Sequence, residues 1–477
     1  MSTYRSGPRE PLYNWAVVLL LALCYVISFL DRQILALMIE PIKRDLQLSD
    51  TQISLLAGFA FALVHVALLV PLGRLADSGN RRNIIVIGLI SWSLFTAACG
   101  AARNFLILLI CRMGVGAGEA TLVPASYSLI PDYFSRRNLH KAMALFVIGA
   151  PLGSGLALVV GGELIMMVER SIMPHIPPSY DFKPWQVVFF LIGAIGIPIA
   201  CLLLLIREPA RKDILLQKND AASPSFRQAL RFVESKKLYF LPMIIGLSLL
   251  NLTYYASLTW LPTLFIRHHE WSADTVGFEL GIAVLLAGVA GPFGSMAIVR
   301  FFQSRGHQDA CLRAFIASTV LAIICTSLTP IVADPDVALL LAAPLVFAMF
   351  YSAALVPPLI QLVTPNQYRA QISGLCMMIF NMVGLGLGPT AVALITDYGF
   401  GRDDALHLSM ALVCFIASSI GLIAMLVALR PFRAALEDAK AWSDEDAAPV
   451  VPVVTPENMG IQTPERVRAD HVRTIRD

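Results

Sequence analysis

Long apolar stretches recur along the 477-residue chain, separated by short polar segments. Each stretch is near the roughly 20 residues that cross a bilayer as an α-helix. Twelve such stretches can be delimited, at residues 14–38, 52–72, 83–101, 104–130, 140–167, 185–206, 238–266, 276–299, 311–332, 337–363, 370–396 and 405–429. The pattern predicts an all-α membrane protein with twelve transmembrane helices, numbered spans 1 to 12 in chain order.

The composition agrees with a membrane protein. Hydrophobic residues make up 57% of the chain and charged residues only 14%, with a mean hydropathy of +0.70. Ordinary soluble domains are roughly a quarter charged. Span 1 has no small-residue cleavage pattern after it, and the polar "DRQ" at residues 31–33 interrupts its far end. We therefore expect span 1 to be retained and not to be cleaved as a signal peptide.

Lysines and arginines are distributed unevenly between the two sides of the predicted membrane. If the amino terminus is inside, 27 of the 36 fall in cytoplasmic segments, 7 in outer loops and 2 within helices. Because these residues collect on the cytoplasmic side, we expect a multi-pass protein of the inner (cytoplasmic) membrane with both termini in the cytoplasm. The net charge of +3 follows from this placement, and no basic stripe indicates a nucleic-acid partner.

The longest charged interruption of the apolar pattern lies between spans 6 and 7 and divides the chain into two halves of six spans. Beyond Arg433 the chain is polar and rich in Pro and Val, without helical periodicity, which is typical of disorder. The predicted organisation is an amino-terminal six-helix bundle over 1–206, a partly helical cytoplasmic linker over 207–237, a carboxyl-terminal six-helix bundle over 238–430 and a disordered cytoplasmic tail over 431–477.

The two halves also echo each other in sequence. The segments "IPDYFSRRNLHKAMALFVIGAPLGSG", after span 4, and "VTPNQYRAQISGLCMMIFNMVGLGLGP", after span 10, each contain a proline, a short basic loop and a helix that ends in a glycine-rich run. Pro131 and Pro365 are 234 residues apart, and Gly149 and Gly384 are 235 apart. This repeat predicts two pseudo-symmetric bundles. The glycine-rich runs would let helices approach closely at an interface that packs in one state and separates in another.

The cysteines and the sequence motifs give no support for a metalloprotein, a disulfide-linked protein or an enzyme. All eight cysteines lie in or at the edge of apolar stretches, without a C-x-x-C pair or a neighbouring histidine cluster. They are expected to be small buried residues, and no metal, disulfide or cofactor is predicted. The chain has no H-E-x-x-H, G-x-S-x-G or Walker motif, so neither known hydrolase chemistry nor ATP drive is supported. We expect a secondary transporter and not an enzyme; a passive channel, which uncoupled flux would identify, is the alternative.

Four charged residues lie inside spans 1 and 4, where each costs about 2.5–3.5 kcal/mol on insertion scales; Asp31, Arg112 and Glu119 are the candidates for proton coupling. Arg112 and Glu119 are two helical turns apart, so they share one face of span 4, about 10 Å apart along its axis. Asp31 lies at a depth comparable with that of Arg112, and Glu119 is deeper toward the cytoplasm. We predict that the two acids respond to protons and that Arg112 is their shared partner. The alternative is a permanent ion-pair network within the first bundle.

The loop between spans 2 and 3 carries a second group of charges. "GRLADSGNRRN" places Asp77 four residues after Gly73 and then a basic pair, Arg81 and Arg82. This loop resembles the signature loop of the major facilitator superfamily, although a serine and an asparagine replace the usual basic residue and glycine. The resemblance implies a latch between the cytoplasmic ends of the two bundles, in which Asp77 meets a helix amino terminus or an arginine of the other half in one conformation. The alternative is a plain basic loop.

A narrower resemblance begins at Arg112. "RMGVGAGEATLVPASYSLIPDYF" resembles the fourth-helix signature of spinster-type transporters, and "SFLDRQIL" at 28–35 is similar to the first-helix acid–arginine pair of that family. "PLGRLAD" and the "REP" after span 6 agree with it. The resemblance is strong from about residue 25 to residue 210; beyond that only the architecture and the loop near Pro365 match. It implies a major facilitator fold, alternating access, proton linkage and an amphipathic, lipid-like substrate.

Other polar residues inside the spans are candidates for substrate contact. They are Arg32, His65, Asn251, Tyr254, Tyr255 and Asn381. His65 could line the cavity or titrate near neutral pH, or it could bond to a neighbouring helix; the tyrosines could also be interface anchors. Charged groups concentrate in spans 1 to 6 and are few in spans 7 to 12. This asymmetry would suit a polar head held by the first bundle and an acyl chain held by the second.

The sequence-based hypothesis is a proton-coupled secondary transporter that moves an amphipathic substrate by alternating access. The spinster resemblance implies a lysophospholipid or sphingolipid. The alternative is a proton-coupled exporter of hydrophobic drugs or other organic solutes. The expected partners are the substrate, protons and the lipid bilayer, and the protein is expected to be a monomer.

Overall fold

The computed structural model describes residues 11–211 and 226–446, over which the chain is helical and contains no β-strand. Twelve of the described helices are long and apolar enough to cross a membrane, which confirms the predicted spans. Spans 1 to 6 are Leu12–Leu37, Asp50–Ser78, Arg81–Gly100, Phe105–Tyr133, Arg137–His175 and Pro184–Leu204. Spans 7 to 12 are Lys237–His268, Ala273–Ser304, Ala310–Leu328, Pro335–Gln361, Gln367–Phe400 and Asp403–Ala439.

Among the described residues, two shorter α-helices lie outside the spans, at the two ends of the molecule. Ile39–Leu46 follows span 1 and ends at Gln47, which has a positive φ of 52°. Phe226–Ser235, here called the linker helix, precedes span 7; residues 212–225 of the predicted linker lie outside the described residues. We call the end with the linker helix and residues 79–80 the basic face, and the end with Ile39–Leu46 the opposite face.

The last helix is longer than the apolar pattern predicts. It continues without interruption to Asp446, so the prediction of disorder from residue 431 is wrong as far as that residue. Phe432 is fully buried and stacks on Tyr239 of span 7. This apolar contact lies beyond the predicted apolar stretch 405–429 and stabilises the extra turns, because helices depend largely on the packing of an apolar face. Residues 447–477 of the predicted tail lie outside the described residues.

Three apolar clusters show how the two bundles meet. Toward the opposite face, one cluster contains buried residues of both bundles, among them Ile34 and Leu56 of the first and Leu264 of the second. Toward the basic face, the described cores separate. One contains spans 1 to 6 with Leu385 from the second bundle, and the other contains spans 7 to 12 and the linker helix. The bundles are therefore joined toward the opposite face.

A seam of small residues joins spans 5 and 8 across the bundle interface. A Cβ atom on Gly155 would lie 2.7 Å from the backbone of Leu285, and one on Gly277 would lie 2.9 Å from the Cα atom of Gly162. Because real Cβ contacts are longer than this, only glycine allows the backbones to approach so closely. The seam is the kind of interface that the glycine-rich runs predict.

The aligned glycines of the two halves occupy equivalent places. Gly149 packs on Tyr25 of span 1, and Gly384 packs on Asn251 of span 7. Each therefore contacts the first helix of its own bundle, as a duplicated arrangement requires. Gly386, in the second run, faces span 2 across the bundle interface.

At the basic face, each bundle has an ion pair between a buried charge at the start of its third helix and a more exposed charge at the end of its sixth. In the first bundle, Arg81 at the start of span 3 contacts Asp132 of span 4 and lies 2.7 Å from Glu208, just after span 6. In the second bundle, Asp309 before span 9 lies 2.6 Å from Arg433 near the end of span 12. The two halves thus have equivalent ion pairs with opposite polarity: the third helix supplies the cation in the first bundle and the anion in the second.

Candidate functional site

A buried ion pair joins spans 1 and 4. The Oε2 atom of Glu119 accepts hydrogen bonds from Nε of Arg32 at 2.7 Å and from the hydroxyl of Ser28 at 2.6 Å. Nη2 of Arg32 lies 2.5 Å from the same oxygen. The Oε1 atom of Glu119 is buried and has no hydrogen-bond partner among the described residues. One oxygen of the carboxylate therefore has three donor contacts, and the other has none among the described residues.

The local sequence explains this placement. Ser28 and Arg32 are four residues apart and so share one face of span 1. Glu119 ends the first helical segment of span 4, which resumes at Leu122. A Cβ atom on Gly118 would lie 2.7 Å from the backbone of span 3. Glycine at this position therefore lets span 3 pack directly against the break that carries the carboxylate.

Asp31 and Arg112 lie beside the Arg32–Glu119 pair, and each has a polar atom without a hydrogen-bond partner among the described residues. Their relative exposures are 1% and 0%. Arg112 donates to the backbone carbonyls of Leu56 and Asp31, both at 3.4 Å. Its Nη2 atom, and Oδ1 of Asp31, have no partner among the described residues. In this conformation Glu119 pairs with Arg32 and not with Arg112, so the predicted role of Arg112 as shared partner stays a prediction for another state.

Phe61 of span 2 contacts both arginines. Its ring centroid lies 4.6 Å from Cζ of Arg32 and 5.7 Å from Cζ of Arg112, within the range of cation–π attraction. His65, one turn further on, stacks on the same ring at 5.1 Å, and its Nδ1 atom lies 3.3 Å from the carbonyl of Gly116. His65 thus bonds to a neighbouring helix, which is one of the two interpretations that the sequence allows.

From the second bundle, Tyr255 reaches the charged residues. Together with Arg32 and Gln33 it lines a cavity of about 20 Å³, which has room for roughly one water molecule. Tyr254 packs edge-on against Tyr255, with ring centroids 4.8 Å apart. The side of the site that the second bundle supplies is therefore aromatic and uncharged.

The two predicted asparagines lie further along the same bundle. Asn251 donates to the carbonyl of Phe380 at 2.8 Å and so ties span 7 to span 11. Asn381 is half-buried in span 11. The contact that the structure gives Asn251 is one of helix packing, and a substrate role for either asparagine stays a prediction.

The three predicted gate residues differ in their contacts. Arg81 and Arg82 both bind Glu208, and Arg82 also donates to the carbonyl of Ile206 at 3.0 Å. The side chain of Asp77 is exposed and forms no hydrogen bond or ion pair with a described residue. The arginines therefore hold the basic face of the first bundle itself. Asp77 is available to a partner in another conformation, and its latch role stays a prediction.

At the opposite face the structure shows a charge cluster that the sequence analysis missed. Arg267, at the end of span 7, donates to the two carboxylate oxygens of Asp50 at 2.8 and 3.1 Å and to Glu40 at 2.9 Å. Lys43 lies 2.7 Å from both Asp50 and Asp403. Bidentate contacts of this kind are among the stronger hydrogen bonds in proteins. We call these five residues the opposite-face clamp.

The clamp joins the two bundles. Among the described residues, every ion pair between the bundles belongs to it, and the amide of Thr51 adds a 2.7 Å hydrogen bond to Asp397. The carboxylates of Asp50, Asp397 and Asp403 are close enough to hold a metal ion, but Arg267 and the clamp lysine already supply positive charge there. Because Asp50 and Arg267 are 217 residues apart, no local motif identifies them as partners.

Two helical bundles, a layer of charges inside the first bundle and a clamp that joins the bundles at one face are features expected of a membrane carrier. A family model described as Major Facilitator Superfamily matches residues 21–389. The chain therefore belongs to the major facilitator superfamily and is a transporter, which confirms the expected class.

Several named proteins and solved structures are similar to this chain. An MFS-type efflux pump of Mycolicibacterium smegmatis is 28% identical over 422 residues, which cover 87% of this chain and 91% of the relative. Protein spinster of Drosophila melanogaster is 23% identical over 310 residues, 63% of this chain and 48% of the relative. A crystal structure of a bacterial homolog of the human lysosomal transporter spinster has a TM-score of 0.72 at 22% identity, covering 90% of this chain and 98% of that chain. The predicted spinster resemblance is confirmed.

Proposed function

We propose that this protein is a proton-coupled secondary transporter that moves an amphipathic, lipid-like substrate by alternating access. The observation that carries the proposal is the charge layer of the first bundle, formed by buried Asp31, Arg112 and Glu119 and half-buried Arg32, which lies next to an uncharged wall of the second bundle. The placement of lysine and arginine supports an inner-membrane protein with cytoplasmic termini. We propose a monomer, with protons and bilayer lipids as its other partners.

The charge layer can link proton uptake to substrate binding. Protonation of Glu119 at its unpaired oxygen would remove the negative charge that holds Arg32. A buried guanidinium without an anion is costly, so Arg32 would then need another partner. Asp31, or the anionic head of a substrate, could supply it. Each proton taken up would in this way favour one arrangement of the charge layer.

The chemistry of the neighbouring wall supports an amphipathic substrate. Beside Arg32, the second bundle contributes Tyr255, Leu258, Thr259 and Leu385. A sugar carries hydroxyl groups on all sides, and those that face the two leucines would be left unpaired, at about 1–3 kcal/mol each. An acyl chain needs no polar partner and is stabilised by about 0.8 kcal/mol per buried methylene. A lysophospholipid or a sphingolipid combines such a chain with a polar head.

In this account the structure is an inward-facing state. The clamp closes the opposite face, and the two cores separate toward the basic face, which the distribution of lysine and arginine assigns to the cytoplasm. An outward-facing state would break the clamp and would bring Asp77 to a partner on the second bundle.

A proton-coupled exporter of hydrophobic drugs or other organic solutes is the second candidate. It is favoured by the efflux pump that matches 87% of this chain. The same charge layer could bind a cationic drug through Asp31 or Glu119, with the aromatic wall against its apolar part.

Proteoliposomes test the proposal directly. The full chain is reconstituted, a pH gradient is imposed in either direction, and the movement of a labelled lysophospholipid, a sphingoid phosphate, a cationic dye and a sugar is measured. We expect gradient-driven movement of at least one of the two lipids, abolished by a protonophore. Movement of the dye alone would favour the second candidate. Movement of the sugar alone, or conductance far above transporter turnover, would contradict both.

A further inference from the structure

The linker helix has an apolar surface wider than the part that the protein covers. Ala229 is buried, and Phe232 stacks on Tyr368 of span 11 with ring centroids 5.7 Å apart. Phe226 and Leu230, one turn apart beside this packed side, remain 53% and 41% exposed. The apolar surface of the helix therefore continues past the edge of the protein.

Two arginines border this uncovered strip. Arg227 and Arg231 each follow one of its apolar residues, about 100° further round the helix, and both are exposed. Neither forms an ion pair with a described residue. Span 7 begins at Lys237, and the next residue, Leu238, is 75% exposed on a membrane-spanning helix. The linker helix therefore ends directly before a membrane-spanning helix whose first turn exposes an apolar side chain.

We propose that the linker helix binds the head groups of anionic phospholipids at the basic face. Phe226 and Leu230 insert among the acyl chains, and Arg227 and Arg231 contact the phosphates. An interfacial helix binds through buried apolar area together with attraction to anionic lipids. A guanidinium matches the geometry of phosphate oxygens and stays charged. The apolar strip alone would accept any phospholipid, so the arginines supply the preference for negative charge.

The position of the helix gives this binding a consequence. Phe232 connects the linker helix to the start of span 11, and the helix leads directly into span 7. A lipid bound to the outer side of the helix would press its packed side onto the second bundle. Lipid binding at the linker helix does not depend on the identity of the transported substrate.

The preference can be measured by competition between phosphatidylglycerol and phosphatidylcholine for the full chain, followed by native mass spectrometry. An arginine near an anionic surface contributes an attraction that corresponds to about a fivefold change in affinity, so Arg227→Gln with Arg231→Gln should lower the preference for phosphatidylglycerol by about 30-fold. The control, Lys183→Gln with Arg402→Gln, removes two exposed charges at the opposite face and should change the preference less than twofold. Equal effects of the two double variants, or no effect of the first, would overturn the proposal.

A nitroxide at Leu230→Cys reports what covers the strip. The label is attached after replacement of Cys201, the exposed cysteine among the described residues. In nanodiscs that contain phosphatidylglycerol, the label should be accessible to oxygen and shielded from a water-soluble nickel chelate. Accessibility to the chelate would contradict the proposal, as would shielding in lipid-free detergent, since another part of the chain would then cover the strip. Equal melting temperatures of all variants would exclude misfolding as the cause.

Discussion

At the scale of single residues, Arg32 determines the arrangement of the charge layer in this state. It lies within 2.5 Å of Glu119 and over the ring of Phe61, and its side chain is 14% exposed, whereas that of Glu119 is fully buried. Arg32 is therefore the member of the pair that an incoming anion can reach. Glu119 is the member whose charge is expensive when the pair breaks.

The first prediction concerns the charge of Glu119. Glu119→Gln keeps the size of the side chain but leaves Arg32 without its buried anion, so the free energy of unfolding should fall by about 3 kcal/mol. Movement of substrate driven by a pH gradient should be lost, since the amide cannot take up a proton. Thermal unfolding in detergent and the proteoliposome assay measure the two effects.

Glu279→Gln is the matched control for this prediction. Glu279 is an exposed carboxylate of span 8, and surface changes of this kind usually alter stability by less than about 0.5 kcal/mol. It should retain gradient-driven transport. Retention of transport by Glu119→Gln as well would remove Glu119 from the coupling mechanism.

At the scale of elements, the contact between spans 5 and 8 depends on glycine. A Cβ atom on Gly155 would meet the backbone of Leu285, and a backbone cannot move aside as a flexible side chain can. The seam crosses the interface of the two bundles. A change in its spacing therefore affects the closed opposite face as well as local packing.

The second prediction is that Gly155→Ala destabilises the protein by about 1–3 kcal/mol through overpacking and lowers the transport rate. Gly374→Ala is the control, because a Cβ atom there meets nothing within 4 Å and alanine favours a helix over glycine by about 1 kcal/mol. Its melting temperature should be unchanged or higher. If the two variants melted alike, the seam would not be close-packed.

The third prediction concerns Asp309, which ties span 9 to the extended last helix. Burial alone would raise its pKa, but hydrogen bonds from Arg313 and Arg433 outweigh burial and hold the pKa below its usual range. The tie therefore stabilises the fold above the unfolded-state pKa of about 3.9 and is lost as the pH falls through the folded-state pKa. Asp309→Asn should cost about 1–2 kcal/mol at neutral pH.

Melting temperatures measured as a function of pH test this direction of the pH dependence. The difference between the wild type and Asp309→Asn should shrink as the solution is acidified. The exposed carboxylate of Asp404 provides the control, and Asp404→Asn should melt like the wild type at every pH. If the difference in melting temperature stayed constant with pH, Asp309 would stabilise the fold through the shape of its side chain and not through its charge.

At the scale of the whole molecule, the sequence predicted the individual helices better than the contacts between them. The twelve spans and the repeat follow from hydropathy and glycine spacing, which are properties of one helix at a time. The similar depth of Asp31 and Arg112 in the membrane was predictable from their positions in spans 1 and 4. Adjacent residues point about 100° apart on a helix, so the rotation of span 1 about its axis determines that Arg32 contacts Glu119. The clamp and the contact that extends the last helix depend on residues far apart in sequence.

The fourth prediction is that the two faces oppose each other energetically. Arg267→Gln removes the centre of the clamp and should favour the state that is open at the opposite face. Asp77→Asn removes the proposed latch and should favour the state described here. Since each charged hydrogen bond contributes about 1.5–3 kcal/mol, either change should shift the ratio of the two states by at least about tenfold. Labelling of cysteines introduced in the cavity, from each side of the membrane, measures the shift, and equal or parallel changes in the two variants would contradict it.

The most direct test of proton-coupled alternating access is a set of electron-spin distances across the two faces. One label pair at Ser78 and Ser304 reports the basic face, and another at Arg44 and Asp336 reports the opposite face; all four residues are exposed. Acidification of the wild type should change the populations of short and long distances at the two faces in opposite directions. Asp31→Asn combined with Glu119→Gln should abolish that response. A wild type without a pH response, or a double variant that keeps it, would contradict the account.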